Sequence, residues 1–143
     1  MTSFLDGLKE NQAFTDPDSS DPRLLGRTYA IPFETVWQGS VGLCGGGLSG
    51  WSIESADDHQ GVIQAAVRPV LLAPEILVRI NIGLDANAQT RVDVAATART
   101  ERGDFGRSRR VVGTFLKKLD RKLSARADQI LDPSLLPRFE EAS

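Results

Sequence analysis

The chain has 143 residues, 41% of them hydrophobic and 25% charged, with 17 basic side chains against 19 acidic ones. That is the length and balance of one ordinary globular domain, and it excludes a disordered, fibrous or collagen-like chain. A net charge of only −2 argues against a wholesale nucleic-acid binder while leaving room for a local basic face.

Cys44 is the single cysteine, so no intramolecular disulfide can form. Residues 1–10 hold Asp6 and Glu10 and no apolar run of secretory length. The longest apolar stretch, 67–84, is interrupted by Arg68, Pro69, Pro74, Glu75, Arg79 and Asn81. It therefore falls short of the roughly 18 residues a membrane span needs. A cytoplasmic location is the expectation.

Charge is distributed unevenly. Residues 1–22 carry Asp6, Glu10, Asp16, Asp18 and Asp21 against Lys9, whereas 99–126 hold ten cations opposed by Glu101, Asp104 and Asp120. The expected organisation is an acidic N-terminal arm and linker over 1–26, a single α+β domain over 27–130 and a tail over 131–143. Phe4, Leu5 and Leu8 place one apolar side on a short helix in the arm. The prolines and Asx-turn formers of 16–22 read as an irregular linker.

A first strand is expected over 27–31. Pro32 can open a helix because its missing N–H costs nothing at the first position. Phe33, Val36, Trp37, Val41 and Cys44 then recur at helical spacing, predicting a helix over 32–44. After Gly45-Gly46-Gly47, period-two alternation predicts strands over 51–56 and 62–68, joined by a glycine-containing hairpin loop. Pro69 and Pro74 bracket a loop or irregular edge. Strands over 75–84 and 90–99 follow, the first with Ile76, Val78, Ile80, Ile82 and Leu84 on one side. The second puts Val92, Val94, Ala96 and Ala98 inward. Such alternation means one buried and one wet face, the habit of antiparallel sheets.

A long helix is predicted from 107 to about 130, its stripe formed by Val112, Phe115, Leu116, Leu119, Leu123, Ala127 and Ile130. Arg107, Arg110, Lys117, Lys118 and Arg121 fall on the opposite side. The predicted fold class is thus α+β: an antiparallel sheet of about five strands, a short helix after strand 1, and a long C-terminal helix packed on one face. No other predicted element is long enough to cover strands 75–84 and 90–99.

This order, over 27–130, resembles the helix-grip arrangement of the START and birch-pollen-allergen superfamily. The resemblance implies a curved sheet wrapping the last helix and an apolar ligand held between them. A more local resemblance runs from Val92-Asp93-Val94 through Gly103-Asp104-Phe105-Gly106 to Arg110, Val111 and Phe115-Leu116. It is similar to the strand–turn–helix end of the bacterial and plastid domain-of-unknown-function family fourteen-ninety-nine. Ala95-Ala96 and Ser108 depart from that family's pattern.

Candidate chemistry is sparse. His59, the only histidine, sits in a predicted hairpin loop beside Asp57 and Asp58, with no second histidine or cysteine to complete a metal site. Cys44 lies at a predicted helix C-terminus, whose dipole disfavours a thiolate. Gly45, Gly47 and Gly50 satisfy G-x-G-x-x-G, yet they follow a helix and open a strand, the reverse of a dinucleotide site. They read as a helix C-cap and connection. Asp104 reads as an N-cap of the long helix, or with Arg99 and Arg102 as the frame of a small polar site. Neither a cofactor nor a metal is expected.

Two functional readings follow. The first is a non-catalytic interaction module docking on a protein partner or a second copy. Its contact residues would be Phe4, Leu5, Leu8, Leu135, Leu136 and Phe139 of the arms and Arg110, Lys117, Lys118 and Arg121 of the helix back. The alternative is a carrier of a small apolar, lipid-like ligand lined by Trp51, Ala65, Ala96, Phe115 and Leu119. An anionic membrane surface could also meet the basic helix. Nucleic acid is disfavoured, since the possible stacking residues, Tyr29 and Trp51 or Trp37, are not interleaved among the arginines.

Overall fold

The computed structural model describes residues 11–71, 73–100 and 106–135. Six strands are formed: β1 (Gln12–Phe14), β2 (Arg27–Tyr29), β3 (Trp51–Asp57), β4 (Val62–Val67), β5 (Ile76–Leu84) and β6 (Thr90–Ala98). The helices are α1 (Phe33–Gly42) and α2 (Arg107–Lys122). The α+β class expected from the residue pattern is observed, with every pairing antiparallel and the order β1-β6-β5-β4-β3.

The sheet has six strands rather than about five because its outer edge is shared. β1 pairs with 95–97 of β6 and β2 with 90–92, so two short strands lie end to end along one neighbour. Thr15 joins them: its N–H donates to the Val94 carbonyl (2.9 Å) and its hydroxyl to Asp93 Oδ1 (2.7 Å). The intervening residues leave the sheet and return, closed by the Asp16 N–H on the Leu24 carbonyl (2.7 Å). Asp21 caps a 3-10 turn over Pro22–Leu24, and Arg23 beside it holds its carboxyl below the usual carboxylate range. Leu24 is buried from this loop. Residues 11–24, expected as arm and linker, therefore contribute a strand and two core side chains, Ala13 and Leu24.

On the inner face stand Ile63, Ala65 and Val67, then Ile76, Val78, Ile80 and Ile82, then Val92, Val94, Ala96 and Ala98, all in one buried cluster. Leu84, expected on this face, is 63% exposed because β5 runs past the edge of the core. Gly61, in the β3–β4 loop, has φ +70 and sits where a Cβ would collide with the Ile82 carbonyl oxygen. That close approach allows the hairpin to turn onto β5.

Both helices cover the same face. From α1, Val36, Trp37 and Ser40 are buried; from α2, Val112, Phe115, Leu116 and Leu119. The cover is shared, contrary to the expectation that the last helix does it alone. α2 packs on β6 and β1, and α1 packs on β5. α2 has 16 residues, about 24 Å of rod at 1.5 Å per residue. It stops at Lys122 rather than near 130 because Ser124 adopts a left-handed backbone (φ 51). Ala127 is exposed in a separate 3-10 turn, and Ile130 bridges to Tyr29 instead of extending the stripe.

α1 widens at its end into a π-type turn over Leu43–Gly47, closed by the Leu48 N–H on the Leu43 carbonyl (2.9 Å). Gly46 there has φ 150 with open space around it. The glycine run thus ends a helix and leads into β3, as its order predicts.

Candidate interaction surface

Residues of α2 separate cleanly by side. Its buried stripe runs through Val112, Phe115, Leu116 and Leu119, while Arg110, Thr114, Lys117, Lys118, Arg121 and Lys122 are exposed. At about 100° per residue, Arg110, Thr114, Lys117 and Arg121 form one line, with Lys118 and Lys122 beside it. The separation follows from sequence: apolar residues recur at three and four, so the cations between them must face outward.

The sole carboxylate on this helix is turned away from the cations. Asp120 accepts from Arg27 Nε at 3.0 and 3.1 Å and from Arg27 Nη2 at 3.1 Å. It also accepts from the Tyr29 hydroxyl at 2.5 Å. Tyr29 is fully buried, and burial, reinforced by the Asp120 carboxylate, drives its pKa far upward. The result is a clamp that ties β2 to the last turn of α2 and occupies both Asp120 oxygens. Lys117, Lys118, Arg121 and Lys122 consequently pair with no carboxylate among the described residues.

Of the residues expected in the partner surface, Arg110, Lys117, Lys118 and Arg121 lie together on this exposed face. Lys122 joins them, on the same face by helical period. Arg107, expected outside, is half-buried and donates through Nη1 to the Pro74 carbonyl, a tertiary partner no periodicity reveals. Leu135 closes a 3-10 turn over Pro133–Leu135. Phe4, Leu5, Leu8, Leu136 and Phe139 lie outside the described residues, as does Asp104.

The proposed apolar-ligand residues are brought together by the fold. Trp51 stacks on Phe115 with ring centroids 5.7 Å apart. Phe115 and Leu119 are 0% exposed, and Ala65 and Ala96 each 1%. All four are closed to solvent, with small alanines on the sheet side of the core and large side chains on the helix side.

His59 is exposed in the β3–β4 loop, where its backbone N–H donates to Asp57 Oδ1 (3.0 Å). Cys44 is fully buried, and burial pushes its thiol up to about 12. No group of three or more His, Cys, Asp or Glu among the described residues could hold a metal ion. An open groove of about 390 Å³ lies between β1, the 16–24 loop and Arg109, and Asp16 and Asp18 also line it. Its mixed charge and open shape single out no ligand chemistry.

Comparison with family models, with curated proteins and with solved structures returns no match for this chain. No helix among the described residues is long and apolar enough to cross a membrane.

Proposed function

We propose that the chain is a non-catalytic interaction module that docks an acidic protein surface through the outer face of α2. The observation that carries this reading is the cluster of Lys117, Lys118, Arg121 and Lys122: exposed, adjacent, and deprived of their helix's one carboxylate by the Arg27–Tyr29 clamp. Arg121 and Lys122 also complement the negative end of the helix dipole, which accounts for two cations in the last turn. It does not account for Lys117 and Lys118 one turn earlier. Unpaired like charges on one face repel one another, and an acidic partner relieves that repulsion.

The test is the triple charge reversal K117E/K118E/R121E. All three side chains are exposed, so the melting temperature should stay within about 2 °C of wild type. Capture of partners by the immobilised chain, or self-association in sedimentation velocity if the partner is a second copy, should fall at least about tenfold. Raising the salt to about 0.5 M should weaken wild-type binding in the same direction. Partners retained by the triple variant at wild-type levels would overturn the reading.

A further inference from the structure

The β4–β5 connection carries an exposed apolar tip that neither the core nor the cationic helix face uses. Leu71 is 103% exposed and Val70 is 52% exposed. Leu71 also has a left-handed backbone (φ 47), a region that glycine and asparagine enter far more readily than leucine. A turn selected for folding alone would place a small or polar residue there. Exposed apolar side chains gathered at a protruding point mark contact with something apolar.

We propose that this hairpin tip is a peripheral membrane anchor that inserts Val70 and Leu71 into the headgroup region of an anionic bilayer. Three features favour a bilayer over a protein pocket. First, the two ends of the turn pair with each other rather than with an outside partner. The Val70 N–H donates to the Ala73 carbonyl (3.2 Å) and the Ala73 N–H to the Val70 carbonyl (2.7 Å). Pro69 and Pro74 have no N–H to satisfy. Pairing within the turn lowers the cost of taking these backbone groups into low-dielectric surroundings.

Second, charge at the base of the tip is positive. Residues 68–74 contain Arg68 and no acid. Glu75, just beyond, is neutralised by Arg99 at 3.0 Å. Arg107 reaches the Pro74 carbonyl from the start of α2 and brings a second guanidinium to the base of the hairpin. Arginines behind an apolar tip match phosphate oxygens behind the acyl boundary. Third, a bilayer needs no shape complementarity, which fits a leucine that touches little of its own protein.

The measurement is sedimentation of the full chain with phosphatidylcholine vesicles, with and without about 30% phosphatidylserine. Wild type should partition onto the anionic vesicles. Leu71→Asn, which suits the left-handed backbone, should lower partitioning by about tenfold with no loss of melting temperature. Arg68→Glu should lower it several-fold on anionic vesicles. A nitrobenzoxadiazole label on Leu71→Cys, selective because Cys44 is buried, should shift its emission to the blue when those vesicles are added. The proposal falls if wild type ignores anionic vesicles, or if Leu71→Asn binds them as well as wild type. It also falls if only K117E/K118E/R121E abolishes binding, for then the helix face is the membrane contact. Loss of a protein partner in Leu71→Asn without vesicle binding by wild type would reassign the tip to a protein pocket. Only loss of vesicle binding in K117E/K118E/R121E would bear on the acidic partner assigned to α2; the other outcomes leave that reading untouched.

Discussion

Cys44 illustrates how burial decides chemistry at a single residue. It is fully buried in the core from the π-type turn, and burial pushes its thiol from 9.0 up to about 12. The unfolded chain loses that proton first as pH rises, so deprotonation favours unfolding. Stability is intact below about pH 9 and falls above it, by at most about 1.4 kcal/mol per pH unit from this one group. Tyr29, whose pKa burial also raises, acts in the same direction above its ordinary value of 10.0. Denaturant unfolding at a series of pH values should show wild-type stability declining from pH 9 upward, and Cys44→Ala declining less steeply. Equal slopes would mean the thiol is reached by water in the folded chain. Native Cys44 should likewise resist a thiol reagent until the protein unfolds.

Among elements, the join between β2 and α2 depends on Asp120. The carboxylate is 22% exposed, as is Arg27, and it receives the hydroxyl of a fully buried tyrosine. Asp120→Ala would leave that hydroxyl and a half-buried guanidinium without their acceptor, at a cost of about 2 kcal/mol. Tyr29→Phe removes only one donor and should cost about 1 kcal/mol. Urea unfolding of both variants measures this, and an Asp120→Ala change below about 0.5 kcal/mol would show the clamp to be incidental. None of this join is visible in sequence, because Arg27 and Asp120 are 93 positions apart. What sequence does reveal is whatever repeats. β5 and β6 alternate over nine residues each, and α2 repeats its apolar stripe from Val112 to Leu119. Strand β1, with three residues, is too short for any period to register. The end of α2 was hidden for a different reason: Ala127 and Ile130 continue the helical spacing by coincidence, while Ser124 takes the left-handed turn that a glycine would have announced.

At the scale of the whole molecule, one sheet face is buried under two helices and the two external features lie at opposite ends of α2. Arg107 binds Pro74 beside the apolar hairpin, and Asp120 binds Tyr29 beside the lysine cluster. The lysine face was legible because charge and apolar residues alternate along one helix. The hairpin's Val70 and Leu71, between Pro69 and Pro74, carried only the signal of an apolar run with no partner in the strand pattern. The chain's four lysines are Lys9, Lys117, Lys118 and Lys122, so three of them stand on the proposed docking face. Zero-length carbodiimide coupling joins lysine amines directly to carboxylates in contact with them. Applied to the chain with its captured partner, or to its own self-associated form, the expected products are peptides linking Lys117, Lys118 or Lys122 to acidic residues of the other protein. Links confined to Lys9, or partners held with no lysine of α2 coupled, would contradict the assignment of that helix face as the site of docking.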